Sequence, residues 1–287
     1  MSCEPLAFWR RTALLACAAL LATVAQAVQP QTSLVDAARL KQSGEAIALI
    51  EGGADVNAAS TDGSTALMWA AYHGDRALVE RLLKARAKVD GNNAYGANAL
   101  SQAALAGDVS IIEALLKAGA NVEGANPDGQ TALMIVARAG NVEAAKVLLK
   151  RGAKVDAREQ FRGQTALIWA AAQGQPQMVK LLLDSRADPN ARSALNENRR
   201  QVTGEPRAQA RPPGGMTPLL YAARQGCLDC VKYLATGGAD INMADPEGIT
   251  PLLIATENFR FDVASYLIDQ GADVNRWDWW GRTPLYA

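Results

Sequence analysis

The 287-residue chain carries 29 basic and 29 acidic side chains and one histidine, so its formal net charge is zero. With no basic excess there is no electrostatic signal for nucleic acid or for an anionic membrane surface. Imidazole catalysis or metal binding would rest on His73 alone, and the sequence contains no G-x-S-x-G, H-E-x-x-H, phosphate-loop or dinucleotide pattern.

At the N-terminus, Arg10 and Arg11 precede an apolar run from Ala13 to Val24, followed by Ala25-Gln26-Ala27. Charged, apolar and small-residue regions in that order make a secretory signal peptide. The run is about a dozen residues, short of the ~20 that span a bilayer core as a helix. Residues 1–27 are therefore expected to be cleaved, leaving a periplasmic or secreted protein free of the membrane. A retained anchor, or lipidation at the lipobox-like Leu14-Leu15-Ala16-Cys17, is the alternative. Cleavage would remove Cys3 and Cys17 and leave Cys227 and Cys230 in an oxidising compartment.

Residues 28–59 read as a linker and an atypical first unit. Ala37-Ala38 and Gly52-Gly53-Ala54-Asp55-Val56-Asn57 are present, but Lys41 stands where later units place a helix-ending glycine. A strict period then begins: Gly63, Gly96, Gly129, Gly163, Gly215, Gly248 and Gly281 recur at intervals of 33, 33, 34, 52, 33 and 33 residues. Such a period is the mark of a solenoid.

Two residues after each marker stands Thr65, Asn98, Thr131, Thr165, Thr217, Thr250 or Thr283, types that cap a helix N-terminus. A first helix is predicted from there, with Pro218, Pro251 and Pro284 in its opening turn. Gly74, Gly107, Gly140, Gly174 and Gly226 end it. Asp75, Asp108, Asn141 and Gln175 offer the cap of a second helix, and Pro176 follows the last of them. That helix repeats its aliphatic pairs, Leu82–Leu83, Leu115–Leu116, Leu148–Leu149, Leu182–Leu183 and Leu267–Ile268, as an apolar stripe. No such pair of short helices buries its stripe alone, so neighbouring units must stack. Arg86 and Arg186 replace the glycine that follows the second helix in other units; at positive φ each would cost about 1 kcal/mol, and they read as solvated loop side chains or as anchors for an acidic group.

The pattern G-x-T-P-L-x-x-A-A-x-x-G, an aliphatic helix and then G-A-D-V-N resembles the ankyrin repeat, over nearly everything from Thr32 to the end. The resemblance implies a mainly α solenoid of stacked helix-turn-helix units joined by β-hairpin-like loops, with repeats over 60–190 and 214–275. An incomplete repeat at 276–287 enters a helix at Pro284 and stops, which points to a longer parent protein. The function implied is non-enzymatic: an exported bacterial scaffold, expected to be a monomer, that binds another protein. A redox-sensitive or enzymatic envelope protein and a secreted effector acting on host proteins are the alternatives.

The 52-residue interval places an insertion at 191–213, with Arg192, Arg199, Arg200, Arg207 and Arg211 against Glu197 and Glu205. Its composition cannot bury enough surface to fold alone, so it reads as a mobile basic finger beside the binding face or as a tolerated surface loop.

In ankyrin arrays the hairpin tips and the last exposed residues of the first helix line a groove that contacts partners. By phase, the tips here supply Tyr95, Phe161, Arg162, Trp279, Trp280 and Arg282, and the helix ends supply Tyr72, His73, Arg138 and Arg224. Aromatic and arginine side chains dominate interface energetics. Trp279 and Trp280 would alternatively pack on further repeats, while Trp69 and Trp169, one turn into their helices, are expected between repeats.

Cys227-Leu228-Asp229-Cys230 is the one motif with redox or metal potential. A thiol at a helix N-terminus is acidified, yet no second cysteine or histidine pair completes a zinc site. The pair reads as structural or disulfide-bonded, then as a redox switch, then as a metal ligand set. Asp55, Asp188, Asp240 and Asp273 fall in the repeating Ala-Asp turn, where they cap backbone amides. No catalytic residue, cofactor or metal is expected.

Overall fold

The computed structural model describes residues 32–195 and 214–285. The expected signal peptide, residues 196–213 of the insertion with Arg199, Arg200, Arg207 and Arg211, and the last two residues lie outside the described part.

Among the described residues fourteen helices form seven pairs: α1 (Leu34–Arg39) with α2 (Ser43–Glu51), α3 (Ala66–His73) with α4 (Arg76–Lys84), α5 (Ala99–Ala106) with α6 (Val109–Lys117), α7 (Ala132–Ala139) with α8 (Val142–Lys150), α9 (Ala166–Ala172) with α10 (Pro176–Asp184), α11 (Pro218–Gln225) with α12 (Leu228–Thr236), and α13 (Pro251–Glu257) with α14 (Phe261–Asp269). The odd-numbered helices pack on one another in single file, and so do the even-numbered ones. The result is two parallel layers, and the α9–α11 and α10–α12 contacts carry both across the insertion without a break. Among the described residues the only β pairing is two isolated bridges, Ala59–Thr65 and Leu195–Gly214.

Sequence explains the layers directly. Leu82, Leu115, Leu148, Leu182, Leu234 and Leu267 hold one phase of the second helices and are each 0% exposed, a continuous apolar column that no single unit could form. In the first helices, the pairs Ala70-Ala71, Ala103-Ala104, Ala170-Ala171 and Ala222-Ala223 are buried, and their small side chains permit close packing of neighbouring helices.

The expected caps form at all but one of the positions where a helix begins. Thr65, Thr131, Thr165, Thr217 and Thr250 each accept the amide three residues on, and Asn98 forms a capping box with Ser101. Asp75, Asp108 and Asn141 cap the second helices. Gln175 does not; its amide lies instead over Gly140 of the preceding repeat, and Pro176 has already removed one donor. Arg86 (φ 63°) and Arg186 (φ 67°) do occupy the left-handed region after the second helix, and Lys41 (φ 60°) and Phe259 (φ 58°) occupy it in the slot that ends the first helix.

Two expectations change. The finger does not begin at Ala191: Ala191 and Ser193 are buried, the Ser193 amide donates to Met216 O at 3.0 Å, and Leu195 pairs with Gly214. Arg192 is a structural strut whose guanidinium donates to Gly215 O and Ala244 O, both at 2.9 Å. The insertion thus leaves from one hairpin tip. At the other end, Pro284 and Leu285 form a turn, so the helix expected at Pro284 does not start within the described residues.

Candidate partner-binding groove

Among the described residues, five hairpin tips are each tied by one polar side chain near the base. Asn93 Oδ1 accepts the amides of Tyr95 and Ala97, and Asn126 Oδ1 that of Gln130. Asp245 serves Glu247 and Ile249; Asp278 serves Trp280 and Arg282. The 34-residue interval makes one hairpin a residue longer, and there the longer Glu159 accepts three amides, from Phe161 (2.7 Å), Arg162 (2.8 Å) and Gln164 (2.9 Å). Successive tips are also linked by backbone bonds, Ala94 to Asp62 O, Gln160 to Asp128 O, Ala194 to Arg162 O and Trp279 to Glu247 O. Tip side chains therefore project from a rigid rail rather than from free loops. Sequence reading did not find this tie, although Asn, Glu or Asp recurring just before the marker glycine was its signal.

Electrostatics differ from tip to tip. Burial pushes the Asp245 carboxyl above its ordinary pKa, against the pull of its two backbone amides. Burial acts the same way at Asp278, but the Arg282 guanidinium, bonded through Nε at 2.8 Å, outweighs it and holds that carboxyl below the usual range.

The expected contact residues fall into three groups. Tyr95 and Phe161 stand out at the tips, 75% and 74% exposed, and Tyr72 is exposed at the end of α3. Arg138, Arg162 and Arg224 lie over aromatic rings, with guanidinium carbons 5.2 Å from the Trp169 centroid, 5.6 Å from Phe161 and 5.1 Å from Tyr221. None of the three has a carboxylate partner among the described residues. His73 and Arg282 are engaged internally instead. The His73 ring stacks on Trp69, with Nε2 3.0 Å from Arg39 O; Arg282 is clasped by Asp278 and Glu257. Trp279 and Trp280 are about half exposed near the end of the array.

Among the described residues, three open cavities stand out between the tips and the first helices. The largest, about 490 Å³, is lined by Asp128, Gln130, Glu159, Phe161, Arg162, Gln164 and Trp169. A second, about 220 Å³, shares Phe161 and Arg162 and adds Met216 and Tyr221. The third, about 210 Å³, is formed by Ser64, Met68, Trp69, Tyr72, Asn93 and Gln102. Trp69 and Trp169 thus face the groove as well as packing on the core, and each indole nitrogen is buried without a hydrogen-bond partner. The expected packing between repeats is present; the added exposure to the groove had a signal in the sequence. Their phase holds Trp69, Gln102, Ile135, Trp169, Tyr221 and Ile254, a column too varied for a packing position, and that variety was the missed signal.

Cys227 and Cys230 form a disulfide at the start of α12, where Cys227 Sγ also caps the helix through the Cys230 amide. Neither lines a groove cavity. Asp55, Asp188, Asp240 and Asp273 each accept the amide two residues on. Asn57, Asp90, Asp156, Asn190 and Asn242 accept amides from the following repeat, so this edge is stitched along its length. Among the described residues no three His, Cys, Asp or Glu side chains are grouped to hold a metal, and no helix is long and apolar enough to cross a membrane.

The sequence matches the family model described as ankyrin repeats (3 copies) at residues 34–126, 119–193 and 199–278. The fold is similar to the crystal structure of the human ASB11 ankyrin repeat domain, with a TM-score of 0.68 and 22% identity over 84% of this chain and 98% of that one. No curated protein sequence matches the chain.

Proposed function

We propose, from the premise that this chain belongs to the ankyrin-repeat family, that it is an exported, non-enzymatic scaffold holding another protein against the groove between its hairpin tips and first helices. Ankyrin repeats are protein–protein interaction modules, and this chain is one. The finer reading, that the groove is the contact face and that the protein works as a monomer in the periplasm or outside the cell, rests chiefly on one observation. Exposed aromatic and arginine side chains, the types that carry interface energy, converge with the cavities on a rigid rail of tips. The order of charged, apolar and small residues over 1–27 supports export.

The test is capture from envelope extract with the chain starting at Val28, compared with a Tyr95→Ala, Phe161→Ala double variant. A protein retained by the first and lost by the second supports the reading; equal retention removes the groove from it. A redox role is the second reading, favoured by the Cys227–Cys230 disulfide at a helix N-terminus. With Cys230 fully buried, a Cys227→Ser, Cys230→Ala variant leaves partner capture intact under the scaffold reading and abolishes activity under the redox one.

A further inference from the structure

The two central cavities form one continuous track. Arg138 lies over Trp169, Trp169 lines the first cavity with Arg162, Arg162 and Phe161 pass into the second, and Tyr221 lines that cavity beneath Arg224. Gln164 on one side donates to Tyr221 Oη at 3.1 Å, which couples the two cavity floors. Three guanidiniums are thereby held on aromatic plates, side by side in successive repeats, with no carboxylate partner among the described residues. A ring face under a guanidinium restrains its plane and leaves its N–H edge free, so little entropy is lost when an anion docks. The Trp169 indole N–H adds a donor that is shielded from solvent and has no acceptor, a state that costs free energy until an acceptor arrives.

Two acids also line the first cavity. Glu159 is 3% exposed and closed off by its three backbone amides, which leaves Asp128 as the opposing charge at the rim.

We infer that this track docks an extended acidic peptide segment of the partner, its carboxylates on Arg138, Arg162 and Arg224 and an apolar or aromatic side chain against Phe161 and Trp169. The inference rests on the proposed binding role of the groove and names the chemistry of what it binds. A carboxylate suits a forked guanidinium in a bidentate pair, whereas the zero net charge of the whole chain offers nothing to attract a long polyanion.

The test is selection from a random peptide library displayed on phage, using the chain from Val28 and, in parallel, the Arg138→Gln, Arg162→Gln, Arg224→Gln triple variant. The side chains are exposed, so unchanged helical circular dichroism confirms that the variant folds. Peptides selected by the unaltered chain are expected to be several-fold enriched in Asp and Glu, and the variant to lose that enrichment. A fluorescein-labelled copy of the strongest peptide should bind about tenfold more weakly to each single Arg→Gln variant, more weakly as salt rises, and more tightly to Asp128→Asn. Selection of neutral or basic peptides, no selection at all, or equal competition by a single-stranded oligonucleotide would overturn the inference. If groove-dependent capture of a protein persists in any of those cases, the scaffold reading stands and only the acidic-peptide assignment is lost.

Discussion

At the scale of single residues the tie side chains show how one position serves two electrostatic purposes. Asp245 and Asp278 make the same two amide bonds, but Asp278 is also hydrogen-bonded to a guanidinium, whereas Arg192 acts on Asp245 through charge alone. Because the folded-state pKa of Asp278 is lowered, its contribution to stability is present above the ordinary carboxylate value and lost as pH falls through the lowered one. Urea melts should therefore show Asp278→Asn destabilised at neutral pH, with the difference closing below about pH 4. Asp245 has a raised folded-state pKa, so the protonated form is favoured on folding and that contribution fades as pH rises. Asp245→Asn keeps the accepting oxygen, as Asn93 and Asn126 do at the same phase, and should be neutral or stabilising at pH 7 by the same melts. The four left-handed side chains follow a simpler rule. Arg86→Gly or Phe259→Gly relieves a strained φ and should raise stability by up to about 1 kcal/mol. The arginine slots were legible in the sequence because glycine recurs there in other repeats. Phe259 was legible in principle, standing 33 residues after Gly226, but an exposed aromatic does not announce a backbone conformation.

At the scale of helices, the sequence carried the architecture because caps, terminal glycines and apolar stripes are local features read in one dimension. Thr165 is buried completely while capping α9, so no water can replace its oxygen. Thr165→Ala should cost about 1–2 kcal/mol in denaturant unfolding. Leu182→Ala, at the centre of the apolar column and 0% exposed, should cost about 2–5 kcal/mol. Contacts between repeats were the part the sequence did not yield. Arg192 spanning to Ala244, Arg282 clasped to Glu257, and Trp169 lying under Arg138 each depend on how one repeat sits on the next. The period fixes that a residue is at a tip or a helix end, and only the stack decides whether its side chain meets solvent or a neighbour.

At the scale of the whole molecule, stability in a stacked array is close to a sum over repeats and their interfaces, and both layers pass the insertion unbroken. With Leu195 paired to Gly214, replacing residues 196–213 by a tight Asn-Gly turn should leave the melting temperature unchanged; a marked loss would show that the segment supports the stack. The same continuity makes the groove one surface, with Phe161 and Arg162 shared by two cavities at its centre. The most direct test of that surface's role is photo-crosslinking in living cells, with benzoylphenylalanine placed at Phe161 in one variant and at the exposed Glu113 of α6 in another. A crosslinked partner band from position 161 and none from position 113 is the predicted result. Adducts from position 113 alone, or equally from both, would contradict the assignment of binding to the groove.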